Sequence, residues 1–151
     1  LGVWGKDGKV PLAEARSRVT TGIMTGTSFL TGDDLSSPAG NYNEARERFN
    51  TLLGNPDIVA VAKLGKPFRP IEVKPGRVCS DAYVLESGDA TCIALFNLSG
   101  EKRTVSADVS SYGISDCTGR ELWRNTAVQA EGGKVSFELD PHDSAVIKLG
   151  R

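Results

Sequence analysis

Histidine and cysteine are scarce here: one histidine and three cysteines in 151 residues. With a single histidine and no C-x-x-C spacing, a zinc site is not expected, and no other cofactor motif is present. Cys79, Cys92 and Cys117 are too few and too widely spaced for a disulfide framework. Cys79 and Cys92 could pair across neighbouring strands, but burial as small apolar residues is the expected fate. No apolar run approaches the ~20 residues needed to cross a bilayer. There is no G-x-x-x-x-G-K-[ST] and no G-x-G-x-x-G, so nucleotide and sugar-phosphate cradles drop out. The formal net charge is −1, so no basic field invites nucleic acid or an anionic membrane. No signal-peptide pattern is visible. The chain opens Leu1-Gly2-Val3-Trp4 without an initiator Met, and this apolar start reads as sequence already inside a fold.

What is present changes character partway along. In the first half, Pro11 and Glu14 mark a helix start, and Leu12, Ala15, Val19 and Ile23 recur at three- and four-residue steps. Gly22 and Gly26 bracket its end. Thr27 to Thr31 then forms a short strand candidate, followed by Asp33 and Asp34. A second helix is expected over residues 43–53. Its apolar stripe is Ala45, Phe49 and Leu52 or Leu53, with Glu44, Arg46, Glu47 and Arg48 on its wet face. Residues 56–62 supply one or two further helical turns. A lone strand between helices has no sheet partner within this half, and a buried unpaired strand leaves backbone groups unsatisfied. The expectation is therefore an α/β fragment, the last βα unit of a TIM-type (β/α)8 barrel whose other strands precede Leu1.

Lys66-Pro67-Phe68-Arg69-Pro70 and Lys74-Pro75-Gly76 interrupt regular structure and place a junction near residue 70. Beyond it the period is two. Strands are expected at 82–85, 91–98, 104–109, 121–123, 127–130, 134–139 and 144–149, with a hairpin at Gly132-Gly133. That pattern predicts an all-β antiparallel sandwich over residues 71–151, with residues 1–70 as the barrel remnant.

The pieces of both halves resemble one family in order. Ile23 to Leu35 is similar to the last barrel strand and polar corner of melibiase-type α-galactosidases. Asn55-Pro56-Asp57-Ile58-Val59-Ala60-Val61 is similar to the helix that leaves the barrel. Ile93-Ala94-Leu95-Phe96-Asn97-Leu98-Ser99, Arg120-Glu121-Leu122-Trp123 and Leu139 to Val146 resemble elements of the C-terminal antiparallel domain. Asp143 departs from the pattern, standing where the family often has Gly, and Asp33 replaces a commoner Asn.

The resemblance implies retaining hydrolysis of an α-linked terminal sugar by two carboxyl groups ~5–5.5 Å apart. Galactose, N-acetylgalactosamine and arabinopyranose all fit it as substrate sugars. In such barrels both groups lie on loops after middle strands, upstream of Leu1, so no catalytic residue is assigned here. Asp33 and Asp34 are candidates for the rim of a sugar pocket; as sequence neighbours they diverge and cannot form a close acid pair, and a helix cap or turn is the plainer role. Trp4 falls near the barrel mouth and is a third substrate-binding candidate. Trp123 is expected in the core and His142 in a structural turn. The expected partners are a carbohydrate substrate, through the complete enzyme, and the rest of the barrel. The alternative is a non-catalytic carbohydrate-binding module, which would need exposed coplanar aromatics; aromatics make up only 7% of the chain.

Overall fold

Proline starts the first helix and a close backbone contact ends it. In the computed structural model, which describes residues 4–5, 8–28, 30, 32, 42–73, 75–76, 78–88 and 90–150, α1 runs Leu12–Met24 immediately after Pro11. Ala15, Val19 and Ile23 are buried at four-residue steps, while Leu12 stays 41% exposed at the overhanging first turn. Gly26, at φ +68°, follows the helix. A Cβ there would sit 2.5 Å from the Lys66 carbonyl carbon, so only glycine lets residues 66–68 pass this close. The Phe68 N–H then donates to the Met24 carbonyl at 2.9 Å.

Helix α2 spans Tyr42–Leu52 and α3 spans Pro56–Ala62. Asn55 caps α3: its Oδ1 accepts from the N–H groups of Asp57 and Ile58 at 3.0 and 3.2 Å. Pro56 follows at the first helical position, where a missing N–H costs nothing. Ahead of α1, β1 (Trp4–Gly5) and β2 (Gly8–Lys9) form a small antiparallel pair. The strand expected at residues 27–31 is not formed by its described members, Thr27, Ser28 and Leu30. The physical reason is the one the pattern itself raised: these residues gain no strand partner among the described residues.

Eight further strands make one continuous antiparallel sheet: β3 (Arg69–Pro70), β4 (Ala82–Ser87), β5 (Ala90–Phe96), β6 (Arg103–Asp108), β7 (Cys117–Glu121), β8 (Thr126–Glu131), β9 (Lys134–Leu139) and β10 (Ser144–Gly150). Their spatial order is β3-β4-β5-β10-β7-β8-β9-β6. The β8–β9 hairpin pairs only Ala130 with Val135 and Glu131 with Lys134, and turns through Gly132 and Gly133 at φ +55° and +76°. Beyond those two pairs the strands part, and the sheet folds over itself as a sandwich. Its inner face encloses Val84, Ile93, Leu95, Val105, Val135, Leu139, Ile147 and Leu149.

The outer face of β4, β5 and β10 is also covered. Leu85, Cys92, Ala94, Phe96 and Val146 pack against Ala15, Val19, Ile23, Leu52, Ile58 and Phe68. A strand buried on both faces loses its alternation, which is why Thr91 to Phe96 are all buried. The molecule therefore has three layers: helices, one half of the sandwich, and the other half.

Three expectations need correction. Leu122 and Trp123 lie in the turn after β7, not in a strand at 121–123. Strand β7 itself was hidden, because Cys117-Thr118-Gly119-Arg120-Glu121 does not alternate. Gly119 is required by approach rather than by φ: a Cβ would lie 2.4 Å from the Lys148 carbonyl oxygen. Arg48 is not on the wet face of α2 but buried, on one stripe with Ala45 and Leu52. The three cysteines are free; Cys92 is buried in β5 as expected, but Cys79 is exposed in an irregular segment rather than buried, and Cys117 is half-buried. Burial pushes the Cys92 thiol up, away from thiolate character.

Candidate functional site

The densest group of chemistry-bearing side chains lies between α1 and the turns that flank β10. Asp143 is 1% exposed and receives two guanidinium groups. Arg16 Nη1 donates to its Oδ1 and Oδ2 at 2.7 and 2.9 Å, Arg124 Nη2 donates to Oδ2, and the Ser144 N–H donates to Oδ1 at 2.8 Å. The lone charge of a buried carboxylate is tolerable because every donor around it is in place.

Glu121 is fully buried at the end of β7. Its carboxylate accepts from the N–H groups of Trp123, Arg124 and Val146 at 3.1, 2.7 and 3.2 Å. It thus closes the 122–124 turn and completes the ladder at β10, with Arg124 Nη1 at 3.3 Å. Asp143 and Glu121 together balance Arg16 and Arg124. Around them, Thr20 Oγ1 and Ser144 Oγ are 2.9 Å apart, the Trp123 indole N–H donates to Thr20 Oγ1 at 3.1 Å, and Ser17 Oγ donates to the His142 carbonyl at 2.7 Å.

This arrangement holds; it does not react. A retaining glycosidase needs two accessible carboxyl groups on either side of a sugar. Glu121 and Asp143 are sealed from solvent and saturated by donors. What they do is lock one turn of α1 to the sandwich.

The resemblance marked Asp143 as a departure without a role. The structure supplies one: it joins helix to sheet. No sequence pattern reveals this, because Arg16 and Asp143 are 127 residues apart. His142 lies in the turn before it, in the left-handed region at φ +56°, as the structural turn residue expected. Trp123 is half-buried against the helical layer, and its ring faces α1 rather than a strand of the sandwich core. Asn97 is a further structural group: its side chain donates to the carbonyls of Glu101, Leu139 and Asp140 and accepts from Arg103 Nε. A second link, on the far side of the helical layer, is the two-point pair of Asp57 with Arg120, at 2.8 Å on both contacts. Its hydrogen bond to Arg120 holds the Asp57 carboxyl below the usual aspartate range.

The sequence-based rim candidates are Asp33, Asp34 and Trp4. Asp33 and Asp34 lie outside the described residues. Trp4 sits in β1 opposite Lys9, and the description reaches its backbone only. Among the described residues no cluster of His, Cys, Asp and Glu has metal-binding geometry, and no helix is long and apolar enough to cross a membrane. No described aromatic side chain is exposed, so no stacking platform of the kind a binding module uses is present among them.

Comparison with known proteins adds to this geometry. Residues 82–149 match the family described as the alpha galactosidase C-terminal beta sandwich domain. The chain is 26% identical over 154 aligned residues to the α-galactosidase of Coffea arabica, across 95% of this chain and 37% of that protein. α-Galactosidase I from Mortierella vinacea superposes with a TM-score of 0.72 at 14% identity, over 95% of this chain and 37% of that one. A GH27 β-L-arabinopyranosidase from Geobacillus stearothermophilus gives 0.71 at 21%, over 99% and 33%. The isomalto-dextranase of Arthrobacter globiformis T6 gives 0.68 at 17%, over 93% and 24%. The chain spans about a third of the length of the first two of these relatives. Fold and sequence agree in what the chain resembles: it is similar to α-galactosidases, and its residues 82–149 match the family of alpha galactosidase C-terminal beta sandwich domains.

Proposed function

We infer that this chain is the C-terminal part of a retaining glycoside hydrolase of the α-galactosidase type, and that it holds no complete catalytic site. In this reading residues 1–70 are the end of a (β/α)8 barrel and residues 71–151 its supporting sandwich. The observation that carries it is the helical layer. It shares one core with the outer face of β4, β5 and β10, yet residues 27–31 have the pattern of a strand that their described members, Thr27, Ser28 and Leu30, do not form. The relative from Coffea arabica matches across both halves, so helices and sandwich belong to one protein type.

The substrate is a carbohydrate, bound by the barrel; an α-linked terminal galactoside is the first choice, by likeness to that relative. Asp33, Asp34 and Trp4 are placed at the rim of the sugar pocket. The sandwich acts through stability: it buries the apolar flank of α1 and α3.

The test is hydrolysis of a chromogenic α-galactoside by this chain beside the longest natural form of the protein. Activity in the long form alone is the expected result. Activity in both would overturn the reading and make Asp33→Asn and Asp34→Asn the first variants to assay. Inactivity in both would refute the choice of galactoside.

A further inference from the structure

Arg48 is the group that the fold and the proposed function leave unexplained. It is 6% exposed, on the inward stripe of α2 where a leucine would be expected. A buried guanidinium needs acceptors on all sides. Nη2 has them: it donates to the Val10 carbonyl at 2.6 Å and to Glu44 Oε1 at 3.1 Å. Nη1 is buried and has none.

Beside it lies a groove of ≈ 380 Å³, lined by Arg48, Pro11, Leu12, Glu44, Glu47 and Thr51. Pro11 and Leu12 bring the start of α1 to this groove. That start has no side-chain cap, and the positive end of the dipole of a 13-residue helix lies there. Arg48, whose Nη1 lacks an acceptor, and an uncapped helix start thus border one groove. Both are donors, and both favour negative charge.

We propose that this groove is a carboxylate-binding site, filled in the longer protein by an Asp or Glu side chain of the polypeptide that packs on α1 and α2. This rests on the reading of the chain as the end of a barrel. The charges around the groove select the class. Glu44 already takes part of the Arg48 charge, and Glu47 stands exposed at the rim. Two nearby carboxylates oppose a dianion such as phosphate more than a singly charged carboxylate. Glu47 and Leu12, which line the groove with Arg48, are exposed side chains free to change rotamer and widen it.

The experiment is a thermal-unfolding titration with sodium acetate, against sodium chloride and sodium phosphate at matched ionic strength and pH 7. It uses this chain and the longest natural form. In this chain acetate raises Tm saturably, by ~3 °C at ten times its Kd, and phosphate does less. Arg48→Met abolishes the response. Glu47→Gln, an exposed substitution that does not threaten folding, tightens acetate about twofold. In the long form acetate has no effect, because the protein's own carboxylate occupies the site, and Arg48→Met lowers Tm more than it does in this chain. A flat acetate response in this chain, an equal response in both forms, a stronger response to phosphate, or an unchanged acetate affinity in Glu47→Gln would each overturn the proposal. The galactoside assay is independent of this result: a long form inactive on galactosides but with the acetate behaviour described refutes the substrate, not the site.

Discussion

The two halves of this molecule are stabilised in different ways. The sandwich over β4 to β10 encloses its own apolar core, and its strands pair with one another. The helical layer has no such enclosure. Ala15, Val19, Ile23, Ile58 and Phe68 find their apolar partners largely on the outer face of β4, β5 and β10. Charged pins then fix its position, with Arg16 on Asp143 at one side and Asp57 on Arg120 at the other. Apolar burial is non-directional and sets the strength of the contact. The buried Arg16–Asp143 pair has fixed geometry and sets where α1 sits. One half is thus a self-sufficient unit, and the other is an adaptor whose placement is dictated by a few polar residues.

The comparison is broken most severely from inside the sandwich. Leu95→Ala removes a fully buried side chain of the inner core. It is expected to cost about 4 kcal/mol in urea unfolding and to lower the sheet and helix signals together, because the helices lean on that sheet. Helix melting with the sheet intact would show the two halves to be independent.

Asp143→Ala sharpens the difference instead. It strands the Arg16 and Arg124 guanidinium groups at a partly buried junction, at a cost of about 3 kcal/mol. The helical far-ultraviolet signal should now be lost at lower urea than the sheet signal of the sandwich. A single shared transition would mean that the apolar contact alone couples the halves.

The smallest effect is expected at Asp57. Its carboxyl is depressed by the hydrogen bond from Arg120, so its stabilisation is present above the ordinary aspartate value, near pH ~4. It is lost as pH falls through the lower folded value. The pair is well exposed and solvent-screened, so Asp57→Asn should lower Tm by only about 1 °C at neutral pH. The gap between the two proteins should close on acidification below pH ~4. A gap that persists to pH 2 would assign the effect to the helix start rather than to the ion pair.

Much of the sandwich was legible because each strand is a local pattern. Lys134 to Leu139 alternates, Gly132-Gly133 can only be a tight turn, and both stand where expected. The helices were legible from apolar steps, with a proline at the start of α1 and of α3. Strand β7 was not, because its glycine answers a carbonyl of β10 rather than any local rule. Of the site, the sequence offered Asp33, Asp34 and Trp4 by position in the chain, and passed over Asp143, Glu121 and Arg48. Charged residues read as solvated unless a distant partner is known, and those partners come from other elements.

By itself, then, the sequence determined where the chain is helical, where it alternates, and that its second half closes as an antiparallel sandwich, since these follow from the spacing of apolar residues and the conformational demands of glycine and proline. Only the tertiary structure decided that β5 is buried on both faces, that Arg48 turns inward, and that Asp143 pins α1 to the sheet. Those facts depend on which surfaces meet. The meeting of residues more than a hundred positions apart is set by the packing of whole layers, not by any local pattern.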